Sequence, residues 1–214
     1  MAVVCTIDTE LIQDGSHLME GNIHLVEFEN VLSSLENGTR MFYDCKNLNR
    51  INLNQNNGTL KYADEMFGVS ARYRAADKEV ITTSLLNLES ANHMFMGGYT
   101  GFLPFPFLSF YVADYEWPTN IKEYTDMFAG WETNEDTLNV IHGIAVNSMG
   151  TTNQRIGFVY DDGSDWLQDF LTNNGWSQTG TKETTEPGVE KITFSITNKA
   201  GSIVELDVYY EVLP

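Results

Sequence analysis

The side chains able to do chemistry in this chain are four histidines, two cysteines and thirty acids. His17, His24, His93 and His142 stand in no HxxxH or HxH spacing, and none has a cysteine or a patterned carboxylate beside it. A mononuclear metal centre is therefore not expected from them. Cys5 and Cys45 form no CxxC pair and sit at alternating apolar positions, so both read as buried thiols. The chain has no GxSxG nucleophile elbow, no GxGxxG turn and no GxxxxGK[ST] loop. Acyl transfer and nucleotide-dependent catalysis lose their usual signatures, and the expectation is a protein that is not an enzyme and needs no cofactor. Carboxylates are so abundant that chance pairing is assured, which strips a glycosidase-like pair of specificity.

One segment invites a cation test. Asp161, Asp162 and Asp165 lie together in DDGSD, where closely spaced oxygens suit a hard cation. The spacing is not that of an EF-hand. A turn leading into a helix N-terminus, where acids meet the helix dipole favourably, is the simpler reading. Asn37 and Asn57 each open an NGT tripeptide and read as turns.

The net charge is −18, and it is unevenly spread. Residues 1–39 carry seven acids and no Lys or Arg. Residues 40–80 carry seven bases (Arg40, Lys46, Arg50, Lys61, Arg72, Arg74 and Lys78) against five acids. Residues 81–181 carry twelve acids with only Lys122 and Arg155. So few bases argue against nucleic-acid binding. A mildly basic stretch between acidic ones suggests faces that meet between copies, with Arg72 and Arg74 on the basic side. The most unusual run is GGYTGFLPFPFLSFY, with six aromatics between Tyr99 and Tyr111. Its prolines keep it extended, and Phe102, Phe105 and Phe107 read as an apolar contact patch beside a core strand.

The elements that must position these residues follow from periodicity. Val3, Cys5 and Ile7 alternate as a strand, and a second strand follows at Asn22 to Glu27. Phe28, Val31, Leu32 and Leu35 form a helical stripe ended by Asn37-Gly38. Strands are expected at Arg40 to Lys46, Arg50 to Leu53, Leu60 to Tyr62 and Phe67 to Arg74. Asp77 to Leu88 leans to helix, although its Val-Ile-Thr-Thr favours a strand. Phe102 to Ala113 reads as a strand, and Asn120 as the cap of a helix with Ile121, Tyr124 and Phe128 inward. Leu138, Val140, His142, Ile144 and Val146 alternate as a strand, putting His142 on an apolar face. A strand at Gln154 to Tyr160 and a helix at Asp165 to Asn173 follow. Ile192 to Ile196 and Val204 to Val212 form a β-hairpin with one buried face.

These elements predict a mostly β, β-rich α+β fold. Its core is an antiparallel β-sandwich or barrel with three or four short helices. No βαβ rhythm and no internal repeat are read, so a parallel sheet is not expected. The chain reads as one domain over 1–214, with residue 115 the only place where a boundary is suggested. No apolar run is long and unbroken enough for a membrane span, and the opening residues lack a signal-peptide pattern. A cytoplasmic or virion location is expected.

The functional expectation is a non-enzymatic structural protein that assembles with copies of itself or docks with other structural proteins. A phage tail or capsid protein is its most concrete form. Two alternatives come from other classes. One is an acidic DNA-mimic that blocks a nucleic-acid enzyme. The other is a carbohydrate-binding β-sandwich stacking sugars on Trp117, Trp131 or Trp176.

Overall fold

The computed structural model describes residues 3–5, 11–29, 32–48, 50–52, 58–68, 79–82, 86–97, 108–111, 117–129, 135–160 and 166–212. Five short strands open it: β1 (Val3–Cys5), β2 (Leu25–Glu29), β3 (Arg50–Asn52), β4 (Glu79–Thr82) and β5 (Leu108–Tyr111). All four pairings between them are parallel and in chain order. Cys5, Phe28, Ile51, Ile81 and Phe110 share one register across this sheet.

A second column runs alongside. Asp14, Asn37, Tyr62, Ser90 and Glu123 are joined by parallel bridges, each to the next. Each strand is thus followed by a corner, and each strand-plus-corner is one coil of a solenoid. The first coils repeat about every 23 residues, within the usual period of strand-and-turn solenoids. Among the described residues of this half, every strand pairing is parallel, not antiparallel as expected from the sequence.

The corners carry a repeat. Leu35, Leu60, Leu88 and Ile121 each precede, by six residues, a Met-Phe pair: Met41-Phe42, Met66-Phe67, Met94-Phe95 and Met127-Phe128. All twelve side chains are buried. The residue before each Met has positive φ (Arg40 54°, Glu65 52°, His93 53°, Asp126 51°). That left-handed step turns the chain so that two adjacent apolar residues both reach the interior. Ile12, Leu18 and Met19, with His17 at φ 59°, occupy the same places in the first corner. The sequence does contain an internal repeat, then, contrary to expectation.

The phenylalanines form a spine. Phe42 and Phe67 stack at 5.6 Å, Phe67 and Phe95 at 5.4 Å, and Phe95 and Phe128 at 5.3 Å; Phe28 meets Phe42 edge-on at 4.9 Å. Between leucine and methionine each inner corner needs a small residue, supplied by Gly15, Gly38, Ala63 and Ala91. A Cβ on Gly15 would come within 2.9 Å of Leu35, and one on Gly38 equally close to Met66. The fifth corner has Tyr124 there instead, with its hydroxyl 2.7 Å from Ser148 Oγ. Among the described residues the fifth corner is followed by the closing unit, which supplies the partner of the Tyr124 hydroxyl.

That unit comprises α1 (Glu135–Asn147), β6 (Asn153–Tyr160), α2 (Trp166–Asn173), β7 (Ser177–Gln178), β8 (Glu183–Glu186), β9 (Val189–Thr197) and β10 (Ile203–Val212). Its strand order is β6-β10-β9-β7 with β8 beside β9; β10 is antiparallel to β9 and parallel to β6. Val204, Leu206, Val208 and Tyr210 face inward, as their alternation predicts. One buried cluster runs from the solenoid into this sheet.

The fold is β-rich, as expected, with two helices among the described residues where three or four are predicted. Three expected helices are absent: Phe28 lies in β2, Glu79 to Thr82 form β4, and Ile121 to Phe128 form the fifth corner. The expected strand at 138–146 is α1 instead. Its alternation coexists with a helical stripe, Leu138, Ile141, Ile144 and Ala145, all buried. Glu135 and Asp136 at its start suit a helix N-terminus.

Candidate interaction surface

Each corner has a left-handed residue (His17, Arg40, Glu65, His93 and Asp126), and the second corner has a further one, Asp44. Arg40 sits between Glu20 and Glu65; its Nη2 is 2.6 Å from Glu20 Oε1, and its Nη1 pairs with Glu65 Oε2. His17 Nδ1 meets the other Glu20 oxygen. Further along, Arg155 Nε donates to Asp126 Oδ2 at 2.8 Å, and His93 Nε2 lies 3.8 Å from the same oxygen. Hydrogen bonds from Arg40 and then His17 hold the Glu20 carboxyl down at about 2. The same ion pairs push the Arg40 and Arg155 guanidinium groups up.

These contacts alter the reading of the basic stretch. Three of its cations are locally matched: Arg40 as above, Lys46 with Asp44 at 3.2 Å, and Lys61 with Glu36 at 2.9 Å. Two of these pairs cross between coils, so they fix coil stacking rather than exposing a uniform positive face. Exposed pairs of this kind are individually weak, and a chain of them mainly selects register.

Arg72, Arg74, Phe102, Phe105 and Phe107 lie outside the described residues, as do Asp161, Asp162 and Asp165. The points between which the first five fall are nevertheless described. Residues 69–78 run from the third corner, ending at Gly68, to Glu79 in β4. Residues 98–107 run from the fourth corner, ending at Gly97, to Leu108 in β5. Glu79 and Leu108 are ladder partners. The basic and the aromatic segments therefore take equivalent places in chain order, each leading from a corner into one of two paired strands. These legs are long: Tyr62 to Ile81 and Ser90 to Phe110 span 19 and 20 residues, against 14 from Asn37 to Ile51.

Other sequence candidates resolve simply. Cys45 is buried and donates to Met19 O at 3.0 Å; burial pushes its thiol up to about 11, so it is not a thiolate nucleophile at neutral pH. Cys5 lies in β1. His142 is on α1, half-buried, and accepts from Trp176 Nε1 at Nδ1 over 3.2 Å. Burial lowers its pKa. Trp176 is 2% exposed, which leaves no ring face for sugar stacking, and Trp117 is partly buried against the core; Trp131 lies outside the described residues. Among the described residues no group of His, Cys, Asp and Glu is placed to hold a metal ion, and no helix is long and apolar enough to cross a membrane.

The two ends of the solenoid differ. At the fifth corner the backbone is taken over by β6: Asp126 N donates to Asn153 O at 3.1 Å, and Met127 N to Gln154 Oε1 at 3.0 Å. Gln154 also returns an amide hydrogen bond to Tyr124 O. The first corner and its flanks include three exposed apolar side chains: Leu11 at 91%, Leu18 at 42% and Ile23 at 47%. The repeated Met-Phe pair is the signal that sequence reading missed, since it occurs only once per coil of changing length. Comparison with protein families, curated proteins and solved structures finds no match to this chain.

Proposed function

We propose that this chain is a non-enzymatic docking protein whose solenoid stem carries two long legs that meet a partner or another copy. What supports the reading is that residues 69–78 and 98–107, singled out for charge and aromatic content, each lead from a corner into one of two paired strands, β4 and β5. Solenoids collect their insertions on one side, and that side is commonly the binding face. Arg72 and Arg74 would supply the charged rim, and Phe102, Phe105 and Phe107 the apolar centre. A virion component such as a tail or capsid protein is one setting for such a part.

Size-exclusion chromatography with light scattering tests the self-assembling form. Wild type is expected to associate as concentration rises. Arg72→Glu with Arg74→Glu, or Phe102→Ser with Phe105→Ser and Phe107→Ser, should weaken that association about tenfold or more. A wild type that stays monomeric at high concentration, or variants that associate equally well, would refute it.

A further inference from the structure

Arg40, Glu65, His93 and Asp126 hold one equivalent place in successive corners. Each follows by three the residue that bridges its coil to the next: Asn37, Tyr62, Ser90 and Glu123. The backbone keeps them in step. Arg40 N donates to Asp64 O, Glu65 N to Asn92 O and His93 N to Thr125 O, over 2.8–2.9 Å. Each acceptor is the residue just before the counterpart on the next coil.

Charge along this column comes in two runs. In the first, Arg40 is paired with Glu20 on one side and Glu65 on the other. In the second, Arg155 donates twice to Asp126 Oδ2, and His93 Nε2 lies 3.8 Å from the same oxygen. Among the described residues no ion pair joins Glu65 to His93. The break falls at His93, which stands between Glu65 and Asp126 much as Arg40 stands between two carboxylates. Arginine is always a cation, whereas an imidazole becomes one only below about pH 6.5.

Asp126 has acceptor capacity to spare. Its side chain is 8% exposed, and its Oδ1 is buried without a hydrogen bond. An acceptor left so costs stability that a donor would recover. The charged groups flanking His93 are Asp64 and Glu65 from the third corner, Asp126 from the fifth and Arg155 from β6. Three carboxylates stand against one guanidinium. Glu89, Lys122 and Glu123 lie at the bridge end of these corners.

We propose that this column is a proton-operated clasp, in which a proton on His93 joins the two charge runs into one alternating ladder and locks the third, fourth and fifth corners together. The clasp ties the two corners that residues 69–78 and 98–107 leave, at Gly68 and Gly97. It depends on corner stacking alone and stands whether or not those legs meet a partner. The sign follows from linkage: a proton bound more tightly by the folded chain than by the unfolded one adds stability as pH falls.

Urea unfolding of the full chain, followed by circular dichroism between about pH 8 and 5.5, tests the clasp above the range where carboxylates protonate. Wild type is compared with His93→Gln, His93→Arg and Glu65→Gln. His17, His24 and His142 are present in all four, so the difference from His93→Gln isolates position 93. That difference should grow about threefold in the folding equilibrium constant as pH falls, the size of an exposed ion pair. His93→Arg, in a place where Arg40 already has positive φ, should exceed His93→Gln by a similar factor at every pH. Glu65→Gln should reduce the growth, which a contact between His93 and Asp126 alone would not explain. Parallel pH dependence in wild type and His93→Gln would overturn the clasp. So would His93→Arg no more stable than His93→Gln, or full growth retained in Glu65→Gln.

Discussion

Replacing Phe95 by Ala removes the ring at the middle of the spine. Phe95 is 1% exposed and stacks on Phe67 at 5.4 Å and on Phe128 at 5.3 Å. Truncating a buried Phe to Ala costs about 3–5 kcal/mol, the spread reflecting how far the site can collapse. Rings on both sides are fixed by their own coils, so little collapse is available. Each lost ring pair adds about 0.5–1.5 kcal/mol beyond area. The upper half of the range, about 4–5 kcal/mol, is expected, a large share of the ~5–15 kcal/mol that stabilises an ordinary domain. The matching change at the first corner is Met19→Ala. Met19 is 9% exposed, more than Phe95, so about 2 kcal/mol is expected. Urea unfolding followed by circular dichroism gives both numbers. The solenoid predicts a gradient from end to middle. Equal costs at Met19 and Phe95, or a cost below about 1 kcal/mol at Phe95, would refute the stacked spine.

Other consequences follow from single contacts. The folded Glu20 carboxyl is held at about 2 against an ordinary 4.5, so its contribution is complete above about 4.5 and is lost as pH falls towards 2. Arg40→Met should remove that acid-dependent loss, seen as a flatter urea midpoint between those pH values. His142 is kept neutral by burial, so its contribution is present above its ordinary 6.5 and is lost as pH falls. Protonation breaks its acceptance from Trp176, and Trp176 fluorescence should change there in wild type but not in His142→Phe. Gly150→Ala should destabilise by several kcal/mol, because a Cβ would overlap the Lys122 carbonyl where the closing unit meets the fifth corner. A thiol reagent should leave Cys45 unmodified in the native chain and label it after unfolding, given its burial and raised pKa.

The sequence was most legible where period-two alternation is uninterrupted. The Val204 to Val212 strand and its Ile192 to Ile196 partner form the hairpin that their pattern demands. The short helix ended by Gly175, at φ 85°, is equally local in origin. The solenoid was hidden because its strands are three to five residues long and each pairs with a strand a whole coil away. So short a run shows no period, and a two-residue Met-Phe signature looks like an accident until register aligns it. Leg lengths change from coil to coil, which blurs any fixed repeat. Buried Phe28, Leu32 and Leu35 imitate a helical stripe because a strand end followed by a corner also returns apolar residues inward. The candidate interface residues were found by composition, and only the pairing of β4 with β5 shows that the strands they lead into are neighbours.

Every functional statement above rests on coil-on-coil stacking, and amide hydrogen exchange tests it most directly. His17, Arg40, Glu65 and His93 lie in turns, and with His17 57% and His93 34% exposed at the side chain they have little local cover. Their amides donate to Thr39, Asp64, Asn92 and Thr125 carbonyls of the next coil over 2.8–3.0 Å. The stacked solenoid predicts that all four exchange slowly, near the rate of global opening in the middle coils and faster at His17. Exchange at unprotected rates for Arg40, Glu65 and His93 would contradict the solenoid and the proposals built on it.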